Sequence, residues 1–235
     1  MGPIQAPGAY TGAANVIAVL ILLIEFGMFR QALLRDQIRL YAAQSGLLAV
    51  LAAFVALAKH LPELYALAAV TIALKVIAIP LVLRRLTRAD DVEPGDDLAT
   101  GIGADIAGSG GLSLASTVLI GIVVAAFGFF AAGSLPISAS AAPTTALSIS
   151  LSVVLVAFVL MIQRRDVVSQ AIGLFSLENG ISLAALVIAA SLPLILELAF
   201  LFDLLLAVVV FGLLIRLHHG RADTLSTTGL TSLRG

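Results

Sequence analysis

The sequence predicts an all-α, polytopic membrane protein with about seven transmembrane helices. Three observations carry that expectation. Hydrophobic residues make up 60% and charged residues 11% of the 235 positions, against about 45–50% and about 25% in soluble domains. Mean hydropathy is +1.13. Apolar runs close to the roughly 20 residues that a bilayer-crossing helix needs recur along the whole chain.

The runs fall at 12–29, 40–58, 64–83, 113–133, 145–163, 168–190 and 193–215. The extension 1–11 carries no basic residue, so the first run reads as a retained span rather than a secretory signal. Ala6 stands where a myristoylation pattern needs Ser or Thr. Within 12–83, charge from Arg30 to Arg39 separates the first two spans, and Lys59-His60-Leu61-Pro62 is a short turn between the second and third. In the loop 84–112, Arg84, Arg85 and Arg88 give way to Asp90, Asp91, Glu93, Asp96 and Asp97. That pattern fits a solvated loop whose arginines meet headgroups and a helix dipole, or a docking surface for a cytoplasmic partner. Two further spans occupy 113–163 around an uncharged Pro/Ser/Ala loop. The last pair occupies 164–215, beginning at Arg164-Arg165-Asp166 and turning at Ser191-Leu192-Pro193, before a polar tail, 216–235.

Seven spans place eleven of the thirteen Lys and Arg residues on one side of the membrane, with Lys59 on the other and Lys75 inside a span. The positive-inside rule then puts the N-terminus outside and the C-terminus in the cytoplasm. One internal echo stands out: 39–49 (RLYAAQSGLLA) resembles 173–183 (GLFSLENGISL) at an offset of 134. Each copy precedes a Leu-Pro turn and a span that holds an ionisable group and ends in Arg. A duplicated two-helix hairpin and a chance likeness between apolar helices both fit this pattern.

Glu25, Lys75, Glu178, Glu197 and Asp203 fall within the spans. A central charge costs roughly 2.5–3.5 kcal/mol on insertion scales, so such residues need partners, water or neutral forms. At about 1.5 Å per residue, Glu178 lies ~18 Å from Asp166, Asp203 ~20 Å from Arg216 and Lys75 ~14 Å from Arg84. These three sit near mid-membrane and are the leading relay candidates. Glu197 and Glu25 lie nearer the interfaces, within reach of snorkelling, and are secondary candidates. Pro80, five residues after Lys75, donates no backbone hydrogen bond and favours a kink and a polar pocket there. Lys75 reads either as half of a structural ion pair or as a proton-relay lysine. In Glu178-Asn179-Gly180, Asn179 is a candidate helix bridge or relay partner and Gly180 a close-packing position.

Other chemistries lose support. The chain has no cysteine, which removes thiolate metal sites, Cys-ligated iron–sulfur clusters and cysteine nucleophiles. His60, His218 and His219 sit at span ends rather than mid-membrane, so neither metal nor haem is expected. The glycines of 101–108 follow no strand, so a nucleotide loop is not expected either. The near-neutral balance offers nothing for nucleic acid. A lysine in the third span and no Trp also argue against a retinal protein.

Residues 167–190, VVSQAIGLFSLENGISLAALVIAA, resemble the E-N-G helix of the hydrogenase-4 component E family. That family is similar to the K-type subunit of respiratory complex I and to the C-type subunit of multi-subunit cation/proton antiporters. The acid pair Glu197 and Asp203, the Leu74-Lys75-Val76 helix with Pro80, and the ending LSTTGLTSLRG match the same pattern, most strongly over 64–86 and 164–235. The resemblance puts Glu178 at the first membrane glutamate of the K-type subunit and Asp203 in the region of the second. There Asp replaces Glu and shortens the reach.

The resemblance implies a non-catalytic subunit of a prokaryotic cytoplasmic-membrane complex related to hydrogenase-4 or formate hydrogenlyase. Large antiporter-like membrane subunits and hydrogenase-type peripheral subunits would be its partners. Nickel–iron and iron–sulfur centres would reside in those partners, with no cofactor in this chain. Glu178, Asp203 and Lys75 would carry a proton or sodium relay. Rival readings are a subunit of a stand-alone cation/proton antiporter and a structural scaffold.

Overall fold

The computed structural model describes residues 9–31, 33–90, 114–134, 144–164 and 167–189, together with Gly212. They form α1 (Ala9–Arg30), α2 (Leu34–Lys59), α3 (Glu63–Thr71), a π-helical turn (Ile72–Ala78), α4 (Ile79–Asp90), α5 (Leu114–Gly133), α6 (Thr144–Gln163) and α7 (Val167–Ala189). Thr71, Ile72 and Ile79 all keep right-handed helical backbone, so α3, the π turn and α4 form one continuous helix.

Among the described residues six helices are long and apolar enough to cross a bilayer: Gly12–Arg30, Leu34–Lys59, Glu63–Arg85, Ala115–Gly133, Thr145–Gln163 and Val168–Ile188. They coincide with the first six spans expected from the sequence. Apart from Gly212, the seventh, 193–215, with Glu197 and Asp203, lies outside the described residues, as do the tail and 91–112 of the charged loop.

One boundary differs from the hydropathy reading. α2 starts at Leu34 rather than near 40, because the backbone ladder continues through a stretch whose charged side chains turn outward. Arg35 and Arg39 are exposed, while Gln37, Ile38 and Tyr41 on the other face are buried. Hydropathy averages over both faces and trims such an end. At its other end, His60 adopts left-handed backbone (φ 55°, ψ 43°), and its N–H bonds the Ala56 carbonyl. This stops the helix before Pro62 as a C-terminal glycine would.

Of the six spans α7 is the most buried, followed by α6 and α2. α6 packs against α7, α5 and α1; α2 packs against α1, α7 and the α3–α4 helix. α5 lies at the periphery and turns Leu119, Val123, Phe127 and Phe130 outward as an apolar stripe, suited to lipid. Two glycines bring the helices of this side close. A Cβ on Gly128 would sit 3.0 Å from the Ser152 backbone nitrogen, and one on Gly180 would sit 2.8 Å from Val154 Cγ2. The close approach expected of Gly180 is therefore present, between α7 and α6. Ser152 Oγ adds a 2.7 Å bond to the Ala125 carbonyl across the α5–α6 contact.

The core divides into two apolar layers. One holds Ala18, Ile21, Leu48, Leu51, Val55, Leu64, Val153 and Leu183. The other holds Met28, Ile38, Tyr41, Ile79, Leu83, Leu160, Ile172 and Phe175. On α1, α2, the α3–α4 helix, α6 and α7 the first set runs toward one end and the second toward the other. Arg164 fastens the second end, donating to the carbonyls of Met28 at 3.0 Å, Phe29 at 3.4 Å and Gln31 at 2.8 Å. Met28 and Phe29 lie in the last turn of α1, where carbonyls lack the usual i+4 donors, and Gln31 follows the helix.

Candidate functional site

Between the two apolar layers lies a polar one. On α1, Glu25 stands between Ile21 and Met28. On α2, Gln44 and Ser45 stand between Tyr41 and Leu48. Lys75 precedes Ile79, and on α7 Ser176, Glu178 and Asn179 stand between Phe175 and Leu183. All seven polar side chains are buried, none more than 2% exposed.

Lys75 enters from the π turn. In that turn the Ile79 N–H reaches back five residues to the Leu74 carbonyl, and Pro80 supplies no N–H at all. The sequence expectation of a backbone irregularity beside Lys75 thus takes the form of a widened turn. Such turns re-aim one side chain without breaking the helix. The Lys75 ammonium lies 3.0 Å from Glu178 Oε1 and donates to Asn179 Oδ1 at 3.3 Å. The first contact is an ion pair and the second a hydrogen bond.

The layer continues across α2 to α1. Asn179 Nδ2 donates to Gln44 Oε1 at 3.0 Å and to Ser45 Oγ at 2.9 Å. Gln44 Nε2 donates to Glu25 Oε2 at 2.6 Å. Ser176 Oγ bonds the same Glu25 oxygen and also lies 2.9 Å from Gln44 Oε1. The directions are consistent: both amides are oriented by the fixed donor Lys75 at one end and the acceptor Glu25 at the other. An unbroken polar chain therefore joins Glu178 to Glu25 through four elements.

Of the sequence candidates, the structure brings together Lys75, Glu178, Asn179 and Glu25. Glu25 does not snorkel. It is fully buried, because its position on α1 faces Gln44 and Ser176 rather than the helix end five residues away. Asp203 and Glu197 lie outside the described residues. Gln44, Ser45 and Ser176 were missed, since uncharged polar residues are common in spans. The internal echo held the signal: at an offset of 134, Gln44 aligns with Glu178 and Ser45 with Asn179. Aligned positions meet in space, Ser45 with Asn179 and the Tyr41 ring with that of Phe175 at 5.6 Å. Contact between equivalent residues is what a local two-fold relation produces.

No protein-family model matches the chain, and no solved structure matches it. A segment of 75 residues is 44% identical to part of a Mycobacterium tuberculosis (strain ATCC 25618 / H37Rv) protein named "Uncharacterized protein Rv0085". The aligned segment covers 31% of this chain and spans about a third, 34%, of that relative. Among the described residues no cluster of His, Cys, Asp or Glu could hold a metal ion.

Proposed function

We propose that the chain is a non-catalytic membrane subunit of an ion-translocating assembly related to complex I, of the hydrogenase-4 type, with redox chemistry in partner subunits. The observation that carries this reading is the Lys75–Glu178 ion pair, held mid-bundle and continued by hydrogen bonds to Glu25. A stabilising core gains little from such a pair, because replacing a buried pair by packed hydrophobic side chains is often neutral or favourable. Intramembrane ionisable groups that are linked to one another are the ordinary hardware of charge movement. The resemblance of 64–86 and 164–235 to component E supplies the kind of assembly. It also extends the line to Asp203.

In this reading the N-terminus faces outside and the ends of α1, α4 and α6 face the cytoplasm of a prokaryotic cell. The Arg164 clasp on the end of α1, close to Arg30, supports that orientation by gathering basic residues at one end. Large antiporter-like membrane proteins and hydrogenase-type peripheral subunits would be its neighbours.

The test is Glu178→Gln in the native membrane. Glutamine keeps the size and an oxygen acceptor for Lys75 but cannot cycle its charge. The expected outcome is normal recovery of partner subunits in a mild-detergent pull-down together with lost ion translocation. Unchanged translocation, or loss of assembly alone, would mark the pair as a scaffold. Co-purification of antiporter subunits without redox proteins would instead make the chain part of a stand-alone antiporter.

A further inference from the structure

Glu25 has a role that neither the resemblance nor the mid-membrane depth argument assigns. Among the described residues the polar layer holds one lysine and two carboxyl groups, and the lysine is 3.0 Å from Glu178. Glu25 bonds only neutral groups, Gln44 Nε2 and Ser176 Oγ, and both go to Oε2. Its Oε1 is buried and has no hydrogen-bond partner among the described residues. Ionised, Glu25 would be a buried carboxylate with no countercharge among the described residues and an idle oxygen, an arrangement that burial strongly disfavours.

Among the described residues, the helices around Glu25 offer no cation to offset that charge. α5 and α6, which pack on α1, contain no titratable side chain at all. On α2 the charged residues Arg35, Asp36, Arg39 and Lys59 are not buried, and Tyr41 is the one buried titratable group. The sole titratable residue of α7 is Glu178. Lys75 is the cation of the π turn, and it contacts Glu178 and Asn179. Arg164 at the end of α1 clasps the carbonyls of residues 28, 29 and 31, and Glu25 enters no ion pair among the described residues.

We propose that Glu25 is a proton-loading site of the layer, carrying an exchangeable proton as a neutral carboxylic acid while Lys75 and Glu178 remain an ion pair. Loading breaks an O–H bond of hydronium, releases water and forms one O–H bond on the Glu25 carboxyl group; unloading returns the proton to water and leaves the carboxylate. Ser176 reports the state. It has one hydroxyl hydrogen and two acceptors within reach, Glu25 Oε2 and Gln44 Oε1. With Glu25 ionised, the hydroxyl turns to the carboxylate. With Glu25 protonated, it is free to turn to Gln44 Oε1, the same atom that receives Asn179 Nδ2. Asn179 in turn holds Lys75, so loading at α1 is felt at the ion pair. This deepens the relay reading and rests on it for its purpose, although the protonation itself does not depend on it.

The experiment compares infrared spectra of membranes holding the full complex, for the wild-type chain and Glu25→Gln. The wild type should show the carbonyl stretch of a protonated carboxylic acid, shifted by deuterium exchange. That band should vanish in Glu25→Gln, persist in Glu25→Asp and be untouched in Glu178→Gln. In parallel, the apolar reagent dicyclohexylcarbodiimide, which adds to protonated carboxyls, should label Glu25 several-fold faster than Glu178. Labelling should slow as pH rises and be insensitive to added Na+. No band lost on Glu25→Gln would overturn the proposal. A band lost in Glu178→Gln instead, or labelling of Glu25 suppressed by Na+, would do the same, the last by making the site one for a metal cation. These readouts report an O–H bond, whereas the relay reading stands or falls on translocation. The two failures are therefore distinct.

Discussion

Two regions of the bundle hold helices together by opposite means. Where α5, α6 and α7 meet, the contact is made by smallness: Gly128 against the backbone of Ser152, Gly180 against Val154 and Gly173 against Met161. α5 and α6 contain no charged residue. Where α1, α2, the π turn and α7 meet, the contact is made by polarity, with an ion pair and a ladder of amide and hydroxyl bonds. Lipid-facing bundles have no hydrophobic drive between helices, so close packing suffices wherever stability is the need. The seam shows that this chain can build a helix contact without charge. The charges opposite are then an addition that packing did not require.

The contrast can be broken by substitution, with the largest effect on the polar side. Lys75→Met leaves Glu178 buried without a countercharge and should lower stability by about 3–5 kcal/mol. Adding Glu178→Gln to it should recover most of that loss. The midpoint of detergent-induced unfolding reads both. A cost under about 1 kcal/mol for Lys75→Met would mean that Glu178 does not depend on Lys75 as its countercharge.

On the seam, Gly128→Ala should cost about 1–3 kcal/mol, since its Cβ would meet backbone atoms of Ser152 at 3.0 and 3.1 Å and only a helix shift relieves this. Gly173→Ala should cost less in the same assay. Its nearest obstacle, at 2.7 Å, is Cγ of a flexible methionine side chain. Equal losses would show that helix separation, rather than side-chain relief, sets the penalty.

Ser152→Ala removes the bond to the Ala125 carbonyl and should cost about 0.6 kcal/mol, at most about 1.7, as interhelical bonds in bilayers do. Ser176→Ala should cost a similar amount in stability yet alter translocation, which Ser152→Ala should not. That pair of variants separates a bond that fastens from one that reports charge. Smallest of all, Asp36→Asn breaks an exposed pair with Arg39 at 3.2 Å and should change stability by less than about 0.5 kcal/mol.

The sequence made much of this legible, and unevenly. Six spans could be read from apolar runs because the cost of exposing backbone in lipid forces long helices wherever such runs occur. Lys75 and Glu178 were legible because charge is rare and costly at that depth. Gln44, Ser45 and Ser176 were not, because a neutral polar residue in a span costs little and carries no mark of its own. Glu25 was visible but misplaced. Depth along a helix follows from counting residues, whereas facing depends on which neighbour packs there.

The sequence by itself therefore determined the class, the helices and the identity of the buried charges, since these follow from local composition and the fixed rise of a helix. Only the tertiary structure decided the pairing of Lys75 with Glu178, 103 residues apart, and the joining of Glu25 to them. Hydrogen bonds and ion pairs act over about 3 Å, so they exist only once α2 stands between α1 and α7 and the π turn aims its lysine inward.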